Sequence, residues 1–104
     1  MPRKPIISCA VPLDERALWE AESRGCLSHV YVDLEGKRFQ LTFYTVLRLE
    51  QDLKVELELG KKCMGEPGLV VVERVTMDHI IAAVDQLDRE RFFDGLVPIN
   101  DNTH

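Results

Sequence analysis

The stretch Gly68–Leu87, GLVVVERVTMDHIIAAVDQL, contains a strand pattern followed by a helix pattern, and it decides the fold. Its apolar run Leu69–Val72 is mostly β-branched, which is typical of a strand that is buried on both faces. Thr76 is a preferred helix-capping residue type. The apolar residues after it recur at helical spacing: Met77, Ile80, Ile81, Val84 and Leu87. The stretch therefore predicts a central strand that leads directly into an amphipathic helix packed on the sheet.

The N-terminal quarter of the chain predicts a second strand and a second helix. Pro5–Val11 is a short apolar run with a proline at its start and another just after it, as expected of a short strand. Asp14 is suited to cap a helix that extends to about Arg24. Gly25 then fits the left-handed backbone conformation that ends many helices.

A β-hairpin is predicted next. The segments His29–Leu34 and Arg38–Thr45 flank the turn Glu35–Lys37, which contains a glycine. Apolar and polar residues alternate along both segments, so that each segment has one apolar face. We expect the apolar face of the hairpin to join the core, and the other face to be polar and partly aromatic.

The segment Val46–Leu59 fits either a helix or a strand. Its leucines and valines partly follow a period of two, which would make it a third strand after the hairpin. However, the segment consists almost wholly of strong helix formers, and Gly60 suits a helix end. A helical stripe is also present: Val46, Leu49, Leu53 and Leu57. We predict a helix, although three apolar residues lie off its stripe: Leu47, Val55 and Leu59.

The resulting order β-α-β-β-α-β-α indicates an α+β fold. Its first six elements match the ferredoxin-like βαββαβ order with a C-terminal helix appended. That arrangement predicts two layers, an antiparallel sheet of about four strands with the helices on one face. If Val46–Leu59 is instead a strand, the alternative is an antiparallel meander with flanking helices.

The sequence has no internal repeat and no linker, which predicts a single domain over residues 1–104. We expect residues 1–4 and 97–104 to be held loosely. The last helix is expected to continue through Phe92 and Phe93, which would close one end of the core, and to end at Gly95.

Composition and charge narrow the classes of partner. Thirteen basic and eighteen acidic residues give a net charge of −5, which disfavours binding to nucleic acid or to anionic membranes. No apolar run approaches the length of a membrane span, and no secretory signal is recognised. The three cysteines, Cys9, Cys26 and Cys63, do not form a disulfide framework. Reduced thiols in the cytoplasm are therefore expected.

Few residues point to chemistry. Cys26 and His29 have a spacing that allows two side chains to bind one zinc ion, and Cys63 and His79 are candidates for the other ligands. There is no second closely spaced pair, however, and nothing nearby would activate a cysteine nucleophile. We predict no catalytic residue, no metal and no cofactor.

The polar face of the hairpin is the strongest candidate for function. Alternation brings six residues to this face: His29, Tyr31, Asp33, Gln40, Thr42 and Tyr44. Tyrosines among small polar groups suit a contact surface, because a ring buries area while its hydroxyl stays hydrogen-bonded. Trp19 lies off the apolar stripe of its helix, so it is either covered by the C-terminal tail or part of an interface. An ordinary solvated sheet surface is the alternative interpretation of the face.

These features lead to three hypotheses. The first is a non-enzymatic module that binds protein through the hairpin face, with a second copy of itself as the preferred partner (a homodimer). The second is an acidic inhibitor or immunity-type protein that masks a basic partner, since the net charge permits it. The third is a small-ligand-binding protein or enzyme with a pocket between sheet and helices that includes His29 or Cys26.

Overall fold

The computed structural model describes residues 4–10 and 12–99, and it has an α+β fold. Its strands are β1 (Ile6–Cys9), β2 (Cys26–Leu34), β3 (Lys37–Tyr44) and β4 (Leu69–Val71). Its helices are α1 (Glu15–Arg24), α2 (Val46–Glu58) and α3 (Met77–Arg89), followed by a 3₁₀ turn at Phe92–Gly95. The predicted element order is confirmed. Of the arm and tail predicted to be loose, residues 1–4 and 97–104, the parts 1–3 and 100–104 lie outside the described residues.

The sheet is mixed, which corrects the prediction of a purely antiparallel one. Among the described residues its strands follow the order β1-β2-β3-β4. The pairs β1–β2 and β2–β3 are antiparallel, as in a meander, whereas β4 runs parallel to β3. A ferredoxin-like sheet has its first and third strands side by side at its centre, whereas here β1 lies at an edge and pairs with β2, so the ferredoxin-like arrangement is wrong.

The strand β4 lies at an edge of the sheet, not at its centre. Both sides of β2 are paired, with β1 and β3, and β4 adds to the outer side of β3. Val70 packs against the core, while Val71 is 45% exposed. The β-branched run therefore marks a strand, as predicted, but one that is buried on one face only.

Each helix begins at a side-chain cap that the sequence provides. The side-chain oxygens of Asp14, Thr45 and Thr76 accept hydrogen bonds from backbone N–H groups in the first turns of α1, α2 and α3. Such caps satisfy donors that a helix leaves unpaired at its start. The cap at Thr45 starts the segment Val46–Glu58 as a helix, so the meander with a strand in its place is also wrong. Gly25 ends α1 in the left-handed conformation (φ 74°), as predicted.

The core lies between one face of the sheet and the helices α1 and α3. Its residues are at most 4% exposed and come mainly from alternate positions of the hairpin: Val30, Val32, Leu34, Phe39, Leu41 and Phe43. The remainder come from α1, from α3 and the residue shortly before it, and from the 3₁₀ turn: Ala21, Val75, Ile80, Val84 and Phe93. The α2 helix contributes no buried residue to it. No helix in the described ranges is long and apolar enough to cross a membrane.

The C-terminal end of the core is closed by the 3₁₀ turn rather than by a longer α3. The helix ends at Arg89, and Arg91 adopts a left-handed conformation (φ 62°) that redirects the chain. Phe93 is buried, and the centre of its ring lies 5.1 Å from that of Phe39. The predicted core-closing role is confirmed for Phe93, but the helix through Gly95 is wrong.

Candidate interaction surface

The β2–β3 hairpin presents the predicted polar face, with one irregularity at its start. The register shifts between Leu27 and Val30, so that Ser28 and His29 together lie opposite a single residue of β3. His29 has a left-handed backbone (φ 58°), and its side chain is exposed with a ring nitrogen 3.1 Å from the Ser28 hydroxyl. Such a bulge bends a strand and exposes the extra residue. Alternation alone gave no sign of it.

Tyr31, Asp33 and Arg38 form a cluster on this face. The Arg38 guanidinium donates to both carboxylate oxygens of Asp33, at 2.8 and 3.1 Å, and lies 5.3 Å from the centre of the Tyr31 ring. The hydrogen bond from Arg38 lowers the pKa of the Asp33 carboxyl below its ordinary value, although partial desolvation opposes this effect. Tyr31 and Asp33, two of the six predicted contact residues, are therefore already in contact with Arg38 of the same chain.

Thr42 and Tyr44 are less accessible than their alternation suggests. Thr42 is 4% exposed, and its hydroxyl donates to the Glu66 carboxylate at 3.0 Å. Burial raises the pKa of the Tyr44 phenol, and the carboxylates of Asp52 and Glu66 raise it further. The phenol thus stays protonated, as a hydrogen-bond donor beside acidic groups. Gln40, which precedes Thr42 on the same face of the strand, is half-buried.

Trp19 is one of the two most exposed residues of the predicted set. Its side chain is 67% exposed on α1, so no part of the chain in residues 4–10 and 12–99 covers it. The C-terminal residues beyond 99, which were the alternative cover, lie outside the described part of the chain. A large exposed indole suits an interface anchor, because Trp is enriched at binding hot spots.

The α2 helix is the most unusual surface of the structure. None of its residues is buried, and its least accessible residues are only half-buried: Arg48, Leu49, Asp52 and Glu56. Its exposed apolar residues occur around the whole helix and at its C-cap: Val46 (67%), Leu47 (65%), Leu53 (36%), Val55 (52%), Leu57 (50%) and Leu59 (69%). Globular proteins rarely expose such a contiguous set. The sequence indicated this exposure in part, because Leu47, Val55 and Leu59 lie off the predicted apolar stripe.

The first turn of α2 is nevertheless held firmly. Arg48 pairs with Asp52 at 3.0 Å, and its guanidinium donates to the Arg24 carbonyl at 3.3 Å. A side chain at Gly25 would collide with the Thr45 hydroxyl, so the end of α1 and the start of α2 pack closely. Beyond this turn, the ion pair between Glu56 and Lys61 joins the helix only to its own C-terminal loop.

A cleft lies at the bulge of β2, and it includes both residues named for the small-ligand hypothesis. Its volume is about 420 Å³, and its polar lining comprises Cys9, Arg24, Cys26, Ser28, His29 and Arg48. Burial raises the pKa of the Cys9 thiol, which lowers its nucleophilicity at neutral pH. The cleft is large enough to hold a small molecule.

The candidate zinc ligands do not converge. Among residues 4–10 and 12–99, no group of three or more histidines, cysteines or carboxylates has the geometry of a metal site. His79 instead lies at the start of α3, with a ring nitrogen 2.7 Å from the Thr76 hydroxyl and the other 3.5 Å from Glu73. Cys63 is exposed, and all three cysteines are free thiols.

Comparison with known proteins adds no assignment. No protein family matches the chain, and neither a curated protein nor a solved structure is similar to it. Any function must therefore be argued from the surfaces described above.

Proposed function

We propose that this chain is a non-enzymatic protein-binding module that self-associates, with α2 pairing against α2 of a second copy. The observation that supports the proposal is the exposure of α2. A helix of thirteen residues gains most of its stability from packing of an apolar face. Within residues 4–10 and 12–99 that face is left largely uncovered, because Val46, Leu53 and Leu57 remain 36–67% exposed, although Leu49 on the same stripe is half-buried.

The energy available from this face is appreciable. Complete burial of an aliphatic side chain is worth roughly 1.5–3 kcal/mol. Covering the exposed portions of Val46, Leu53 and Leu57 in each copy would therefore contribute several kcal/mol in all. Association also has entropic costs of similar size. The α2 pair is thus a core for an interface and needs further contacts around it.

Charge favours an antiparallel α2 pair. Glu50 and Lys54 are one turn apart on one flank of the apolar stripe, both exposed. In an antiparallel pair the same flanks of the two helices adjoin, so that Glu50 of each copy lies near Lys54 of the other. The opposed helix dipoles add to this preference. A second copy is accordingly complementary to α2 in both its apolar and its charged residues.

The hairpin face supplies the further contacts. Tyr44 lies next to the Asp52 side of α2, as the effect of that carboxylate on the phenol indicates. A specific interface buries about 800 Å² on each partner, which exceeds what one helical stripe provides. Tyr44, Gln40 and the exposed Val71, which pairs with Tyr44 at the edge of the sheet, are the residues of this face that would complete it.

Sedimentation velocity of two matched variants tests the proposal. Leu57 and Val55 are 50% and 52% exposed, but they lie about 200° apart around the helix. Leu57→Lys places a charge on the pairing stripe and should raise the dimer dissociation constant at least tenfold. Val55→Lys makes the same chemical change off the stripe and should leave the constant within about twofold. A wild-type chain that remains monomeric at high micromolar concentration, or equal effects of the two substitutions, would contradict the proposal.

The bulge cleft supports a second candidate function, the binding of a small anionic ligand. Two guanidinium groups and an imidazole line it, and all three suit an anion. Titration with inorganic phosphate, followed by backbone amide NMR, should shift the resonances of Ser28 and His29 selectively. No shift at millimolar phosphate would remove this candidate. The acidic-inhibitor hypothesis is supported only by the net charge of −5.

A further inference from the structure

In the part of the chain that the structure describes, β1 is an edge strand whose outer side pairs with no other strand. The Ala10 N–H donates to the His29 carbonyl at 3.2 Å, and Cys9 faces Val30 in the register. In an antiparallel ladder the hydrogen-bonded residues alternate. It follows that Ile6, Ser8 and Ala10 bond to β2. The N–H and C=O groups of Ile7 and Cys9 therefore point away from the sheet, toward the open edge.

An apolar groove runs beside this edge, between β1 and α3. Its volume is about 250 Å³, and its apolar lining comprises Pro5, Ile7, Ile81, Ala82 and Val84. Ile81 is 50% exposed there, although the residues next to it on the helix, Ile80 and Val84, are buried in the core. The groove thus has the depth of one aliphatic side chain, at the place where a residue of an added strand would point.

The charged residues of the groove indicate the chemistry of its occupant. Asp78 and Asp85 flank Ile81 and Ala82 on the same face of α3, two turns apart, and among the described residues that line the groove Lys4 is the cation. Asp85 also pairs with Arg89 at 3.1 Å, but this pair is 61–70% exposed and therefore weak. An aliphatic residue between two basic residues matches this arrangement.

We propose that the β1 edge binds an extended segment of a partner protein, which adds as a strand and places an aliphatic residue, flanked by basic residues, in the groove against α3. Main-chain hydrogen bonds to Ile7 and Cys9 provide affinity, and the groove provides specificity, as in other cases of strand addition. This surface is separate from α2, so the chain binds a second copy and a basic peptide segment at different places.

A second copy is a poor occupant of the same groove. A two-fold axis at the Ile81–Ala82 pair would set two α3 helices antiparallel, with Asp78 of each copy against Asp85 of the other. Like charges at such contacts are destabilising. Pro5 also lacks the donor that an extended β1–β1 ladder would use, a feature by which natural edge strands avoid pairing with themselves.

Fluorescence anisotropy with a defined peptide tests the inference on the full chain. The probe is a labelled, end-capped pentapeptide, Lys-Thr-Ile-Thr-Lys, in which the isoleucine and both lysines share one face of the strand. We expect a dissociation constant in the micromolar range that rises with salt. One control peptide is Glu-Thr-Ile-Thr-Glu. The other is Lys-Thr-Ile-Thr-Lys with methyl groups on the backbone amide nitrogens of the isoleucine and of the residues on either side of it. Both should bind at least tenfold more weakly.

Two variants of the chain locate the site. Ile81→Lys fills and charges the groove and should abolish peptide binding. Ile6→Lys changes a residue of the same strand that is 65% exposed on the opposite face of the sheet, and should bind as the wild type does. Circular dichroism checks that both variants fold. If Ile81→Lys does not fold, Asp78→Asn is measured in its place, and we expect it to bind the peptide more weakly than the wild type does. No binding by the wild type, equal binding of the methylated peptide, or loss of self-association in Ile81→Lys would overturn the inference.

Discussion

Gly68 lies against the backbone carbonyl of Gln40, and a Cβ on Gly68 would collide with that oxygen. Gly68 also has a left-handed backbone (φ 80°) and accepts a hydrogen bond from the Thr42 N–H at 3.0 Å. This contact seats the start of β4 on β3. Gly68→Ala should therefore destabilise the fold by about 3 kcal/mol, because it adds backbone strain of about 1–2 kcal/mol to a displacement of the strand. Urea denaturation measures the loss.

Gly36 provides the matched control for this substitution. It has nearly the same backbone conformation (φ 81°), but a Cβ there would meet nothing within 4 Å. Gly36→Ala should thus cost only the conformational part, about 1–2 kcal/mol. Equal losses in the two variants would show that the contact with Gln40 does not constrain β4.

The position of β4 shows what the sequence could predict and what it could not. A run of β-branched residues identifies a strand because its local preferences are strong. Whether that strand lies at the centre or at an edge depends on which neighbours are free, and β1 and β3 together occupy both sides of β2. Leu69–Val71 was therefore predicted as a strand, and its place in the sheet was not.

The candidate surface shows the same division. Alternation predicted that Tyr31, Gln40 and Tyr44 share a face of the hairpin, because side-chain direction in a strand is local. The contact of Thr42 with Glu66 joins residues 24 positions apart, and nothing in either neighbourhood indicates it. The exposure of α2 was in part predictable, since apolar residues around an entire helix cannot all be buried against one sheet.

Asp33 should make stability depend on pH in the acidic range. Its pKa is lowered in the folded state by the hydrogen bond from Arg38, so its contribution is complete above the unfolded pKa of about 3.9. The contribution is lost as the pH falls from there through the folded pKa. Asp33→Asn should therefore be less stable than the wild type at pH 7, and the difference should diminish by pH 2.5. Urea midpoints at both values measure it.

Asp85→Asn serves as the control for the loss of one negative charge, because the Asp85–Arg89 pair lies on the exposed face of α3. It should change the urea midpoint at pH 7 much less than Asp33→Asn does. If the two variants lose the same stability at pH 7, the effect of Asp33 is one of net charge and not of its pairing with Arg38.

The three thiols should react in an order set by their surroundings. Cys63 is exposed, whereas Cys9 is partly buried and its pKa is raised by that burial. Because the thiolate is the reacting form, a disulfide reagent such as DTNB at pH 8 should label Cys63 first and Cys9 last. Cys63→Ser should remove the fastest phase and leave the slower ones unchanged. Persistence of the fast phase in that variant would place the most reactive thiol elsewhere.

Phe93 should carry most of the stability that the 3₁₀ turn adds to the core. Its ring is buried, tilted 48° to that of Phe39 and nearly perpendicular to that of Phe92. Phe93→Ala should destabilise the fold by about 3–5 kcal/mol, the usual cost of a cavity of this size. Phe92 is only half-buried, so Phe92→Ala should cost clearly less in the same urea titration. The reverse order would mean that Phe92 closes the core and that the left-handed turn at Arg91 serves to position that ring instead.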